Sequence, residues 1–144
     1  MEELLEEIKD VKLHSMSGIL IGTFLGGPLA AGYLVMENYQ NLGNRDSASK
    51  SLIYGILGTI ILFGITLALP EEIMDRIPSA AISFVSVAVI YGIVQQQFGE
   101  IFLEHDAKDR TFYSRWRAVA VGLISLVLLG IIGFSLVFVF FSFE

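Results

Sequence analysis

The charged residues of this 144-residue chain lie in short blocks, and four long stretches between them contain no Asp, Glu, Lys, Arg or His. Each stretch is close to or above the roughly 20 residues that an α-helix needs to cross about 30 Å of hydrocarbon. A soluble core helix of that length would show a polar face, which these stretches lack. The pattern predicts membrane spans at Ser15 to Met36, Ser51 to Pro70, Ile77 to Gly99 and Ala118 to Phe143.

Composition supports a single membrane domain over residues 1–144. Charged residues make up 17% of the chain, whereas soluble domains have about a quarter. Only helices and closed barrels satisfy every backbone group inside lipid, and the polar alternation of barrel strands is absent from the sequence. We therefore expect an all-α integral membrane four-helix bundle, and the faint similarity between its two halves allows an arrangement as two tandem helical hairpins.

The chain begins with MEELLEEIKDVKL, in which Leu4, Ile8 and Val11 recur at helical spacing. This pattern predicts an amphipathic helix over residues 1–14, lying along the headgroups, extending the first span or docking on another chain. Its acidic residues disfavour a cleaved signal peptide, which needs a basic start. Within the first span, Gly26-Gly27-Pro28 predicts a helix kink at Pro28, because proline cannot donate to the helix ladder.

Basic residues indicate an orientation. With four crossings, both termini lie on one side of the membrane, and the loops 37–50 and 100–117 lie on the other. Those two loops hold six of the nine Lys and Arg residues. Because basic loops are retained in the cytoplasm, we expect both loops to be cytoplasmic and both termini to be outside.

Small residues recur every four positions in the first span, at Gly18, Gly22, Gly26 and Ala30. Such a stripe lets another helix backbone approach closely, either inside the bundle or in a second copy of the chain. At the start of the last span, Tyr113, Arg115, Trp116 and Arg117 form an aromatic and basic belt. That composition predicts contacts with lipid headgroups.

Several classes of function are disfavoured. The spans contain no ionisable residue of the kind on which proton pumps and ion-coupled transporters depend. Cysteine is absent, and the polar run Glu104, His105, Asp106 and Asp109 matches no dedicated ligand motif, so we expect no metal and no cofactor. The net charge of −6 argues against nucleic acid as a partner.

The run GTFLGGPLAAGYLVMENYQNLG (Gly22 to Gly43), followed by SRWR before the last span, resembles a loose group of small, uncharacterised four-helix bacterial membrane proteins. The resemblance extends over most of the chain. It implies a bacterial inner (cytoplasmic) membrane protein and implies no activity.

The sequence leaves three functions open. The first is a membrane-embedded interaction or accessory protein that has no chemistry of its own, self-associates or binds another membrane protein, and contacts membrane lipids. The second is an oligomeric pore with a neutral, hydroxyl-bearing lining. The third is a lipid-modifying enzyme that uses Glu100 and Glu104, for which no nucleophile or base is evident.

Overall fold

The computed structural model describes residues 11–108 and 111–144, and in these residues the chain forms five helices. They are α1 (Met16–Asn41), α2 (Arg45–Ala68), α3 (Glu71–Met74), α4 (Ser79–Ala107) and α5 (Arg115–Ser142). The all-helical class is confirmed, and α1, α2, α4 and α5 are each long and apolar enough to span a membrane. The short α3 lies in the loop between α2 and α4.

Helix α1 is folded back on itself. At Gly27 the backbone has φ 66° and ψ −160°, a conformation that is accessible essentially to glycine alone. This residue divides α1 into a first arm, residues 16–26, and a second arm, residues 28–41, which begins with a proline where helices favour one. An added Cβ on Gly26 would lie 2.8 Å from the Ala30 Cβ, and one on Gly22 would lie 2.5 Å from the Leu34 side chain. The kink predicted at Pro28 is therefore a complete reversal.

The reversal brings the two ends of α1 together. The backbone of His14, before the first arm, is hydrogen-bonded to Asn38, near the end of the second arm. An element whose two ends meet enters and leaves a bilayer on the same side. The arms are about 16 and 21 Å long, short of the roughly 30 Å of hydrocarbon. The expected straight first span is therefore corrected to a hairpin with two short arms, whereas α2, α4 and α5 are uninterrupted helices long and apolar enough to span a membrane.

The α1 hairpin is the centre of the fold. Helices α2, α4 and α5 each make their main contacts with α1 and not with one another. In the most apolar 18-residue stretch of α1, about half of the residues are buried. The corresponding shares are 11% for α2, 11% for α4 and 6% for α5. The predicted pair of tandem hairpins is therefore replaced by three outer helices packed around a folded central one.

Glycine pairs dock the two arms on their neighbours. An added Cβ on Gly122 of α5 would lie 3.0 Å from the Gly22 carbonyl oxygen of the first arm. An added Cβ on Gly32 of the second arm would lie 2.8 Å from the Gly55 Cα of α2. Side chains at these positions would separate the helix backbones, so glycine sets the close approach on both sides of the hairpin.

The N-terminal segment lies at the end of the molecule where the hairpin opens. Residues 1–10 of the predicted amphipathic helix are outside the described residues, and residues 11–14 are extended instead of helical. Here the Leu13 carbonyl accepts a 2.8 Å hydrogen bond from the Tyr113 backbone N–H. In a helix, the same carbonyl would accept from an N–H four residues later in the chain. We call this end, formed by residues 11–14, 37–44 and 111–117, the mouth.

The position of the mouth alters the expected arrangement of the termini. Residues 11–14 lie beside both longer loops, and α5 runs from the mouth to the opposite end of the molecule. The predicted arrangement placed both termini together, opposite those loops. In the structure the described N-terminal residues share an end with the loops, because α1 returns to its starting point.

Candidate functional site

A polar cluster closes the mouth of the hairpin. The His14 backbone N–H donates a 2.7 Å hydrogen bond to Asn38 Oδ1, and Asn38 Nδ2 donates to the His14 carbonyl at 3.1 Å. Both residues are almost fully buried. Nearby, Asn41 Nδ2 donates to the Lys12 carbonyl at 2.8 Å and contacts the Tyr113 hydroxyl at 3.1 Å. Two asparagines on the second arm thus hold the extended segment that precedes the first arm.

Glu37 links this hairpin to α5. Its Oε2 lies 2.5 Å from His14 Nε2, and an Arg117 guanidinium nitrogen of α5 lies 3.2 Å from its Oε1. The guanidinium carbon of Arg117 also lies 4.3 Å from the centre of the Tyr113 ring, which packs at 4.6 Å on the His14 imidazole. Charge-assisted and aromatic contacts of this kind strengthen away from bulk water. The cluster therefore joins both arms of α1 to the start of α5.

Burial controls the protonation of His14. Desolvation lowers the pKa of the His14 imidazole, and the hydrogen bond and charge of Glu37 only partly offset this effect. The neutral imidazole then donates its Nε2–H to the Glu37 carboxylate. Since His14 is 1% exposed and already paired, it is poorly placed to act as a base on a substrate. The geometry of the cluster indicates a structural role in holding the hairpin closed.

A second feature is an apolar groove between α2 and α4, with a volume of about 380 Å³. The second arm of α1 forms its floor through Pro28, Ala31, Gly32 and Val35. The groove exists because α2 and α4 both pack on α1 and make few contacts, if any, with each other. Exposed apolar side chains on both helices line its rim, among them Ile61, Val85, Val89 and Ile93.

Polar side chains in the groove are concentrated near the mouth. Ser51 and Tyr54 lie in the first half of α2, and Gln97 lies in the second half of α4, where its Oε1 accepts a 3.1 Å hydrogen bond from the Tyr39 hydroxyl. Farther from the mouth the lining is apolar except for Ser86, which donates to the Ile82 carbonyl of its own helix at 2.9 Å. The groove thus has one polar end and a long apolar wall.

The small-residue stripe lies inside the protomer. Gly18, Gly22, Gly26 and Ala30 are all buried. An added Cβ on Gly18 would meet the Ala118 Cβ at 3.6 Å, and one on Gly26 would meet the Gly122 carbonyl oxygen at 2.7 Å. Gly18, Gly22 and Gly26 therefore pack the first arm against α5, and Ala30 packs the second arm against Gly26. The stripe is covered by the protomer's own helices.

The aromatic and basic belt divides into two pairs. Tyr113 and Arg117 belong to the mouth cluster through their contacts with His14 and Glu37. Arg115 and Trp116 are exposed, with Trp116 at 79%, and face away from the protein. Contacts with lipid headgroups remain an expectation for Arg115 and Trp116, whereas the other two side chains have partners within the chain.

Other predicted candidates are not brought together into a site. Glu104 forms an exposed ion pair with Lys108 at 2.5 Å, one turn along α4, and Glu100 is exposed on the same helix. His105 is buried, and its Nε2–H donates to the Thr111 carbonyl at 2.8 Å beside the Phe112 ring. Within residues 11–108 and 111–144, no group of three His, Asp or Glu side chains is arranged to hold a metal ion.

Sequence reasoning missed both the mouth cluster and the groove. His14 and Glu37 stand on either side of the first apolar stretch, and Gly-Gly-Pro lies near its middle. A reversal at that point brings two such flanking residues together, which was the available signal for the cluster. The groove had no comparable signal, because it depends on the distance between α2 and α4.

We compared the chain with protein-family models, curated proteins and solved structures, and none of these comparisons gives a match.

Proposed function

We propose that the protein is a membrane-embedded binding protein whose working surface is the groove between α2 and α4, and that it acts as an accessory component without covalent chemistry. The observation that carries this proposal is the separation of two membrane-length helices over a continuous apolar floor. Open apolar clefts with a few polar groups at one end are the usual form of small-molecule sites. An unfilled cleft also loses the dispersion contacts that its walls would otherwise make.

The groove supports this function better than the glycine stripe does. The stripe is buried against α5 and the second arm, so it offers no surface to another molecule. The groove rim, in contrast, is formed by large apolar side chains that are about half exposed, such as Ile61 at 60% and Val89 at 56%. If the protein self-associates, we expect contact through this outer surface and not through the stripe.

A pore through the protomer has less support. The α1 hairpin lies among α2, α4 and α5 and contacts all three. Hydroxyl groups that could line a neutral path donate to carbonyls of their own helices, as Thr23 does to Ile19 at 2.7 Å and Thr59 does to Gly55 at 2.9 Å. Hydroxyls paired in this way are poorly placed to replace the hydration shell of an ion.

The proposal includes an orientation. The mouth and the helix ends next to it hold Lys12, Arg45, Lys50, Lys108, Arg115 and Arg117, and among the described residues Arg76 is the one basic residue at the opposite end. Basic residues are retained on the cytoplasmic side. We therefore place the mouth, including the N-terminal segment, in the cytoplasm of a bacterial inner membrane, and the end of α5 outside. The bacterial membrane itself rests on the sequence resemblance.

Site-specific photocrosslinking tests the binding surface. A benzophenone amino acid at Ile93, in the groove wall, is compared with one at Leu126, an equally exposed position on α5 outside the groove. In membranes of expressing cells, we expect adducts of one ligand class to accumulate at Ile93 well above the general lipid background at Leu126. Indistinguishable adducts at both positions would show that the groove is ordinary lipid-facing surface and would overturn the proposal.

A further inference from the structure

We infer that the groove between α2 and α4 holds one acyl chain of a membrane phospholipid, with the headgroup at the mouth end. This inference rests on the proposed binding function and names the ligand class. Its basis is the combination of groove volume, wall chemistry and the position of the polar end.

The groove is too small for a transmembrane helix. It extends along α2 from Ser51 to Ile65, a rise of about 21 Å. A helix at least 10 Å across would occupy on the order of 1,600 Å³ over that length. Even when counted out to its open side, the empty space in the groove is about 1,080 Å³, so a helix of a partner or of a second copy could enter it only in part. A single hydrocarbon chain is narrow enough to reach the floor.

The groove wall matches hydrocarbon in polarity. From Pro28 on the floor to Ile65 and Val85 at the far end, its lining is apolar apart from Ser86, whose hydroxyl is already bonded to its own helix. A polar ligand placed here would lose its hydrogen bonds to water without replacement. An alkyl chain loses none, and it fills the space between the two helices with dispersion contacts.

The mouth end of the groove offers donors at headgroup level. Gln97 uses its carbonyl oxygen to accept from Tyr39, which leaves the amide N–H groups on the same side chain as donors. Tyr54 is 68% exposed, and Lys50, at the start of α2, is 60% exposed beside its Asp46 partner. Amide, hydroxyl and ammonium groups donate to ester carbonyls and phosphate oxygens. A phospholipid can therefore place its ester region here while one chain descends along the floor.

A photoactivatable phospholipid tests the inference in the bilayer. Wild-type protein is reconstituted into phosphatidylethanolamine–phosphatidylglycerol vesicles that contain a trace of phospholipid with a diazirine in one acyl chain. The adducts are then mapped by mass spectrometry of peptides. Because residues 126–141 of α5 are largely exposed outside the groove, they report ordinary lipid contact in the same sample. We expect labelling of groove-lining residues to exceed, residue for residue, the labelling of α5.

Two groove-filling substitutions provide the decisive comparison. Ser86→Phe places a ring inside the groove, and Val89→Trp does so from a rim position that is 56% exposed and tolerant of a larger side chain. We expect each variant to lower groove labelling by roughly tenfold while α5 labelling stays unchanged, and the matched variant Leu126→Trp to leave groove labelling intact. Circular dichroism verifies folding, and Val89→Trp gives the result if Ser86→Phe does not fold.

The alternative outcomes separate the two proposals. Groove labelling that does not change on filling would mean ordinary surrounding lipid and would overturn the acyl-chain site. Crosslinks between two copies at the groove, with no lipid adduct there, would also overturn it, but the binding function of the groove would stand. If lipid labelling is uniform and the Ile93 and Leu126 crosslinkers give the same adducts, both proposals fail.

Discussion

His14 and Asn38 are 24 residues apart in sequence and share two hydrogen bonds, of 2.7 and 3.1 Å, between the His14 backbone and the Asn38 side-chain amide. Both residues are at most 1% exposed. The Asn38 side-chain amide thus takes the place of a backbone partner. It satisfies the hydrogen-bonding capacity of the buried His14 N–H and carbonyl, which no helix pairs at this point. Without it, the α1 hairpin would lose one of the contacts that join its two ends.

Replacing Asn38 with alanine should therefore destabilise the protein. The Asn38→Ala variant leaves the His14 N–H and carbonyl buried without partners, and we expect a loss of about 2–4 kcal/mol in unfolding free energy for the two groups. Denaturant unfolding in detergent micelles measures this loss. Gln40→Ala, two residues along at an exposed position of the same arm, is the control and should change stability little. Equal effects of the two substitutions would contradict the structural role of Asn38.

The close approach of Gly32 and Gly55 gives a second prediction. An added Cβ on Gly55 would lie 2.8 Å from the Gly32 Cα and 2.8 Å from the Pro28 carbonyl oxygen, both of which are backbone atoms. Because backbone cannot yield as a flexible side chain can, we expect Gly55→Ala to cost about 1–3 kcal/mol through overpacking.

A glycine in the same helix provides the control for Gly55. No atom lies within 4 Å of an added Cβ on Gly64, so Gly64→Ala gains helix propensity without a clash. We expect its unfolding midpoint to equal or exceed that of the wild type, opposite in sign to Gly55→Ala. If both substitutions stabilise the protein, α2 does not approach the second arm as the structure shows.

The four long helices could be predicted from the sequence because a stretch of about 20 residues without a charged side chain has few explanations besides a lipid environment. The ends of the helices were less accessible. Helix α1 continues past Glu37 to Asn41, and α4 continues past Glu100 to Ala107, because a charged side chain ends an apolar run without ending a helix. An absence of charge therefore locates a helix better than it locates the ends of that helix.

The path of α1 could not be decided from local sequence. Gly26-Gly27-Pro28 is compatible with a modest kink or a full reversal, since proline removes one ladder bond and glycine permits either backbone path. Tertiary packing favours the reversal, through Gly22 against Gly122 and Gly32 against Gly55. The mouth cluster and the groove both follow from that packing, which explains why neither was predicted although their residues are visible in the sequence.

The stability of the mouth cluster should depend on pH. Burial lowers the pKa of His14 below its ordinary value of 6.5, whereas an unfolded chain titrates near that value. As pH falls through 6.5, the unfolded state takes up a proton first, so the unfolding free energy declines with acidification until the lower, folded pKa is passed. Glu37 opposes this pKa shift and Arg117 adds to it, and both contact the cluster directly.

Thermal unfolding of detergent-solubilised protein between pH 7.5 and 5.5 measures this dependence. We expect the midpoint to fall on acidification, and we expect the fall to be smaller in His14→Gln, which lacks the titrating imidazole but keeps the backbone that Asn38 binds. A wild-type midpoint that rises towards pH 5.5 would show that His14 is protonated in the folded protein, in contradiction to the dominance of burial.

Because its two ends meet, we expect α1 to re-enter the side of the membrane from which it starts, which gives the chain three crossings. Because the sequence contains no cysteine, a single introduced thiol reports its side of the membrane without background. Lys12, Gln40, Asp75 and Glu144 are exposed positions for such thiols. With three crossings, Lys12→Cys and Gln40→Cys lie on one side, and Asp75→Cys and Glu144→Cys lie on the other.

A membrane-impermeant maleimide applied to intact and lysed cells distinguishes the two topologies. Gln40→Cys and Asp75→Cys lie on opposite sides whether α1 crosses the membrane or returns, so they calibrate the assay. Lys12→Cys is decisive, because it follows Gln40→Cys if α1 is re-entrant and follows Asp75→Cys if α1 crosses. Since basic residues are concentrated at the mouth, we expect Lys12→Cys and Gln40→Cys to react only after lysis. Labelling of Lys12→Cys in intact cells together with Asp75→Cys would establish four crossings and remove the basis for both the mouth cluster and the groove floor.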